Sequence, residues 1–187
     1  MQDNFLKRKK DVLSKADKSH KTNWDEKITK LCNKINSLDN YYTTSSCSGR
    51  IILMIDQKKK GEDLFVSVYH DKVSFKKIKE DLDKAIKLKK KIKFKFEPCI
   101  LHISCRSFED AEKLYNKTKT AGWKKSGIIG MKNGFTLEIS GSERLEFPII
   151  QEEKILVSDE FLKIVIEEAN KKLERNWERI QKMERLI

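Results

Sequence analysis

Cysteine is scarce and scattered: Cys32, Cys47, Cys99 and Cys105 lie far apart with no CxxC pair. That excludes a disulfide framework, a zinc knuckle and the three-cysteine cluster motif of a radical enzyme, and the four read as reduced thiols. No stretch approaches the ~18 consecutive apolar residues of a bilayer span, and Met1–Lys10 has no apolar signal core. A soluble, cytoplasmic protein is expected. The phosphate-cradling GxxxxGK[ST] loop and a GxGxxG turn after a strand are both missing, which argues against the common nucleotide-binding folds. Cys47 and Arg50 are separated by only two residues, too close for a phosphatase loop.

What is abundant is positive charge. The chain has 187 residues, and 41 Lys and Arg against 29 Asp and Glu leave a formal charge of +12. Such an excess suits a polyanion through phosphate neutralisation and counterion release. Nucleic acid leads as the partner, an anionic membrane surface competes, and a lysine bias serving only solubility is the bland alternative. The length fits a single α+β domain over 24–187 behind a basic arm over 1–23, with Lys7-Arg8-Lys9-Lys10 as its cluster. A monomer and no metal are expected.

Apolar positions Trp24, Ile28, Leu31, Cys32 and Ile35 recur at helical spacing, with Asn23 as an N-cap and an end near Ser37. A β-branched run from Thr43 to Ile55 and a second strand from Leu64 to Tyr69 form a hairpin. A helix then starts at Phe75, and Lys alternates with apolar residues through Phe96, the pattern of a strand with one basic face. Pro98 is expected to break that strand before Ile100–Cys105 resumes it. A helix from Phe108 closes at Gly122, and strands 124–131 and 135–140 pair around Lys132-Asn133-Gly134. A short strand at Leu145–Ile149 precedes a long helix capped by Ser158. Helix, hairpin and helix thus occur twice, at about 24–96 and 97–187. The expectation is a duplicated α+β unit around one barrel-like, mainly antiparallel sheet, not a Rossmann fold.

The run Thr43-Thr44-Ser45-Ser46-Cys47-Ser48-Gly49-Arg50 is too polar for a core strand. Its hydroxyls and backbone suit a carboxylate, ribose or phosphate, Gly49 allows close approach and Arg50 supplies a charged fork. A solvated edge explains it as well. Strand alternation puts His102 with Ile100 and Ser104, away from Leu101 and Ile103. It is the natural acid or base, or a core histidine with a satisfied hydrogen bond. His70 beside Asp71 is a rival, as is Asp17. Glu97 next to Pro98 can face a sulfonium, or can mark an edge kink. Lysines 84 to 95, with Lys124, Lys125 and Arg106, can follow a phosphate backbone, or form ordinary solvated faces.

These pieces occur in a specific order. Leu13-Ser14-Lys15-Ala16-Asp17, Ser19 and Lys21, Asp25-Glu26, TTSSCSGR, Lys95-Phe96-Glu97-Pro98, Leu101-His102, Cys105-Arg106, Asp110-Ala111, Ala121-Gly122-Trp123, Ser126-Gly127-Ile128, Leu145-Glu146-x-Pro148, Ala169-Asn170 and Asn176 resemble the tRNA wybutosine-synthesising protein 3 family. The likeness runs from Leu13 nearly to the end and departs at Thr22, where the family usually has glycine. It implies an S-adenosyl-L-methionine-dependent methyltransferase acting on N-4 of a 4-demethylwyosine-type base beside the anticodon of phenylalanine tRNA. It also implies a non-Rossmann, duplicated α+β fold. A non-catalytic basic tRNA-binding module is the alternative from another class. A cysteine hydrolase built on Cys47 is a third reading, and no base adjoins it in sequence.

From residue chemistry, Ser45, Ser46, Cys47, Ser48, Gly49 and Glu97 are assigned to the cofactor. His102 is the preferred base, with Asp17 and His70 as rivals. Lys21, Arg50, Arg106 and Ser126 are assigned to the nucleotide or a phosphate of the anticodon stem-loop.

Overall fold

The computed structural model describes residues 4–14, 25–57, 64–131 and 134–187. Its helices are α1 (Asn4–Leu13), α2 (Glu26–Asn36), α3 (Phe75–Ile86), α4 (Phe108–Thr120) and α5 (Asp159–Leu186). Its strands are β1 (Tyr41–Ile55), β2 (Phe65–Tyr69), β3 (Ile92–Cys105), β4 (Lys125–Gly130), β5 (Phe135–Ser140), β6 (Leu145–Gln151) and β7 (Lys154–Ile155). Asp17, His20, Lys21, Thr22, Asn23, Trp24, Lys132 and Asn133 lie outside the described residues. No described helix is long and apolar enough to cross a membrane.

The strands join in the order β2-β1-β3-β5-β4, with β6 on β3 and β7 on β6. Every pairing with a defined register is antiparallel. The α+β class with a long final helix is as expected, but the sheet does not close into a barrel. The reason lies in β3: Ile100–Cys105 pairs with β5, whereas Ile92–Phe96 pairs with β6. The sheet therefore forks instead of closing. Pro98 sits at that fork, between the two partners, so its missing N–H costs no ladder bond to either. β3 is accordingly one continuous strand, not the two that Pro98 suggests.

The chain divides into two compact units, neither contiguous in sequence. Unit 1 comprises Met1–Ser48, Cys99–Ser142 and Asn176–Ile187; unit 2 comprises Gly49–Pro98 and Glu143–Arg175.

In unit 1 the buried faces of α2 (Ile28, Leu31, Ile35) and α4 (Ala111, Leu114) pack with Ile180 and Met183 of α5 on Leu101, Ile103, Leu137 and Ile139. Helix α2 starts at Glu26 with Asp25 as its cap, accepting from Lys27 N at 3.1 Å. Aspartate caps as well as asparagine, and an acidic N1 residue then meets the positive end of the helix. The cap therefore falls two residues after the expected Asn23. The basic arm's helix α1 docks through Phe5, whose ring lies 5.1 Å from that of Tyr42, and through Lys9, which donates to the Leu38 carbonyl at 2.6 Å.

Unit 2 buries Ile52, Leu82, Phe94, Ile150 and Leu173. The short strand β7 was not expected: Glu152 (φ 52°) and Glu153 (φ 59°) form its two-residue turn in the left-handed region, where Asn-Gly would be the usual sequence signal. Asn170 of α5 imitates a strand neighbour, its amide accepting from Val73 N at 3.0 Å and donating to Val73 O at 2.9 Å. Asp81 ties β2 to α3, accepting from Ser67 Oγ at 2.7 Å, Lys77 Nζ at 2.8 Å and the Tyr69 hydroxyl.

Burial opposes the Asp81 charge, but the bonds from Lys77, Tyr69 and Ser67 prevail and hold its carboxyl at about 2 instead of 3.8. A folded-state value below the unfolded one stabilises the protein above the unfolded value. That stability is lost as pH falls from about 4 through about 2, and amounts to about 2 kcal/mol at neutral pH. Urea unfolding at pH 7 should therefore show Asp81→Asn destabilised by about that amount. The gap between variant and wild type should close towards pH 2; a constant gap would mean that Asp81 is not held ionised.

Candidate functional site

The hydroxyl run spans the strand segment where unit 1 ends at Ser48 and unit 2 begins at Gly49. In unit 1 most of its polar groups are engaged. Asn36 Oδ1 accepts from Thr43 N at 2.7 Å, and Asn36 Nδ2 donates to Thr43 Oγ1 at 3.0 Å. The Ser46 hydroxyl favours the ionised form of Cys32, against burial. Ser48 is fully buried and gives both its N–H, at 3.1 Å, and its hydroxyl to Asp25 Oδ2. Tyr42 and Thr43 are both buried and Thr44 and Ser45 both exposed, so the strict alternation of β1 is broken there. Thr44 and Ser45 are exposed, and Cys47 is half-buried. Thr44 Oγ1 donates to the His102 carbonyl at 3.4 Å, joining the run to the preferred base at its main chain.

His102 faces Glu138 directly across the β3–β5 pair, with Nε2 2.8 Å from Glu138 Oε2. An ionised carboxylate can only accept, so Nε2 carries the proton and Nδ1 is the ring atom left for a ligand or a proton. Both side chains are partly open, at 26% and 32%. Glu138 was missed in the sequence. Alternation in Phe135–Ser140 places it with Thr136 and Ser140 on one face, but only the register reveals that it meets His102.

Burial holds the thiols of Cys32 and Cys99 in their protonated form. Burial pushes Cys32 up to about 12, which the Ser46 hydroxyl opposes and the Asp25 charge reinforces. Cys99 is pushed well above the ordinary thiol range, first by burial and then by Cys47, Cys32 and Asp25. Both stay protonated at neutral pH.

In unit 2, Arg50 and Glu97 hold each other: Nε donates to Oε2 at 2.8 Å and Nη2 lies 2.7 Å from the same oxygen. Lys95 approaches the other oxygen at 3.2 Å. Burial resists the Glu97 charge, yet Arg50 and then Lys95 hold its carboxyl below the ordinary range. Glu97 is thus compensated by two cations of its own chain. The Arg50 guanidinium also lies 5.2 Å from the centre of the Phe65 ring.

His70 is half-buried in the bend after β2, in unit 2. Arg106 is exposed at the end of β3, its N–H bonded to the Asn40 carbonyl at 3.0 Å. Ser126 opposes Ile139 on β4, and its buried hydroxyl has no partner within the described residues.

Gly49 is buried with φ 111°, a conformation that L side chains rarely adopt. Gly49→Ala should cost about 1–3 kcal/mol, read as a lower midpoint in urea. An unchanged midpoint would show that the glycine is not required by its backbone.

The family described as "Methyltransferase TYW3" matches residues 7–187. The "tRNA wybutosine-synthesizing protein 3 homolog" of Danio rerio is 36% identical over 188 residues, covering 96% of this chain and 73% of that one. The "tRNA(Phe) 7-((3-amino-3-carboxypropyl)-4-demethylwyosine(37)-N(4))-methyltransferase" of Archaeoglobus fulgidus is 33% identical, covering all of this chain (100%) and 93% of the other. Among solved structures, the PH1069 protein of Pyrococcus horikoshii superposes with a TM-score of 0.88 at 33% identity, covering 97% of this chain and 93% of that one.

Proposed function

Because the chain belongs to the TYW3 methyltransferase family, we propose that it methylates N-4 of a 4-demethylwyosine-type base beside the anticodon of phenylalanine tRNA, using S-adenosylmethionine. The observation carrying this reading is the match along the whole chain to an archaeal relative named for that reaction. The protein would act in the cytoplasm, as a monomer and without a metal, with its catalytic domain over 24–187 and 1–23 as an arm.

When bound, the cofactor supplies a sulfonium methyl: the N–CH3 bond forms as the S–CH3 bond breaks, and S-adenosylhomocysteine leaves. The open hydroxyls of Thr44 and Ser45, with the partly exposed Ser46 and Cys47, suit the hydroxyl and amino-acid groups of that molecule. Ser48 and Gly49 hold the strand in shape beside them. Glu97, held ionised by Arg50 and Lys95, is assigned to the cofactor's sulfonium. His102 takes the acceptor nitrogen's proton on Nδ1, while Glu138 on Nε2 fixes the tautomer and stabilises the imidazolium that results. Lys21, Arg50, Arg106 and Ser126 are assigned to the nucleotide or a phosphate, and Asp17 and His70 remain the rival bases.

The test is single-turnover methyl transfer from labelled cofactor to tRNA bearing the demethylated precursor, followed by identification of the labelled nucleoside. His102→Ala should slow the transfer about 10²- to 10⁴-fold while calorimetric cofactor affinity stays at the wild-type level. A rate near wild type would remove His102 as the base. Label in another nucleoside, or none in any, would reject the reaction itself.

A further inference from the structure

The structure sorts the lysines of residues 84–95 into two classes. Those on the strand are neutralised: Lys93 meets Asp56 at 3.0 Å and Glu146 at 3.4 Å, and Lys95 meets Glu97 at 3.2 Å and Glu146 at 3.6 Å. Those on the turn between α3 and β3, Lys89 apart, are not. Residues 87–91 are all exposed, and no acidic residue occurs in sequence between Asp83 and Glu97. Among the described residues, Lys87, Lys90 and Lys91 reach no carboxylate. Lys84 comes within only 4.0 Å of Asp81, which Lys77 already engages at 2.8 Å.

The turn is also held in shape. Leu88 N donates to Ala85 O and Lys89 N to Ile86 O, each at 3.1 Å, and Asp56 N donates to Lys91 O at 2.8 Å. Lys89 lies in the left-handed region at φ 52°, a position after a helix that glycine or asparagine fills at lower cost. Its ammonium lies 3.5 Å from Glu153, itself left-handed in the β6–β7 turn. One lysine braces the turn, and its neighbours keep their charge towards solvent. The dipole of α3 accounts for cations in its last turn, Lys84 and Lys87, but not for Lys90 and Lys91 beyond it.

We infer that Lys87, Lys90 and Lys91, with Lys84 at their margin, form a docking patch for the phosphate backbone of a structured RNA, remote in sequence from the hydroxyl run. On the proposed reading of the function, that RNA is a stem of the substrate tRNA, and the patch adds affinity without touching the reacting base. An anionic membrane is the weaker fit, because Leu88 is the only apolar residue within 87–91, and interfacial binding needs a wider apolar face.

The experiment compares Lys87→Gln/Lys90→Gln/Lys91→Gln with a charge-matched control, Lys30→Gln/Lys113→Gln/Lys182→Gln. Unmodified phenylalanine tRNA is titrated by fluorescence anisotropy from 50 to 300 mM KCl, with unchanged Tm confirming the fold. The patch variant should bind about ten-fold more weakly at 150 mM salt, and the slope of log K against log salt should flatten by about 2 to 3. The control should lose less than about three-fold. Equal losses in both variants, or none in the patch variant, would overturn the patch. So would patch-dependent binding to phosphatidylserine vesicles with tRNA binding untouched. Methyl transfer to precursor tRNA is measured alongside, with raised KM and unchanged kcat expected for the patch variant. Wild type that binds tRNA through the patch but transfers no methyl defeats the proposed reaction alone. Wild type that methylates, with a patch variant of unaltered KM, defeats the patch alone.

Discussion

The carboxylate of Asp25 is the joint of unit 1. One oxygen caps α2 through Lys27 N and the other accepts both the N–H and the hydroxyl of Ser48. A helix that buries Ile28, Leu31, Cys32 and Ile35 is thereby fastened to the strand carrying the hydroxyl run. Charge-assisted bonds of this kind are stronger than neutral ones, and a covered acceptor is costly to leave unmatched. Ser46 against Cys32 and Thr43 against Asn36 extend the same seam. The hydroxyls are thus chiefly a clasp, and Thr44, which donates to the His102 carbonyl, and Ser45 are the exposed members. A strand shaped by its own helix can present those two with little further ordering, which is what a positioning surface needs.

Unit 2 answers a different problem, the placement of many charges on one sheet. Arg50, Glu97, Lys95, Glu146, Lys93 and Asp56 form a chain of alternating sign linked by contacts of 2.7 to 3.6 Å. Each pair alone contributes little at this exposure. Together they remove the strand lysines from the protein's net field, so the excess that reaches solvent is carried elsewhere. Formal charge therefore says little about where a polyanion would meet the surface, and the pairing pattern says much more.

Much of this was legible before any coordinates. The helices starting at Phe75 and Phe108 were legible; the serines that cap them, Ser74 and Ser107, were not singled out. The strand at Phe135–Ser140 was readable in full. What failed depended on partners. Pro98 reads as a break until β3 is seen to exchange β6 for β5 around it. Glu152-Glu153 does not read as a turn, because acidic residues rarely adopt positive φ. Glu138 acquires meaning only opposite His102. The polar run was correctly singled out as unusual, yet composition could not reveal that Ser48 is committed to Asp25. Asn170 and Asn176, recognised only as motif letters, bind main chain at Val73 and Cys99.

Helix α5 supplies Leu162, Ile166 and Leu173 to unit 2 and Ile180 and Met183 to unit 1. During synthesis, the first 48 residues therefore emerge long before the segment 176–187 that completes their unit's core. At about 5–20 residues per second this is a wait on the order of ten seconds. Over that interval the apolar faces of α2 and α4 lack their last packing partner. The last turns of α5 thus decide when residues 1–48 can finish folding.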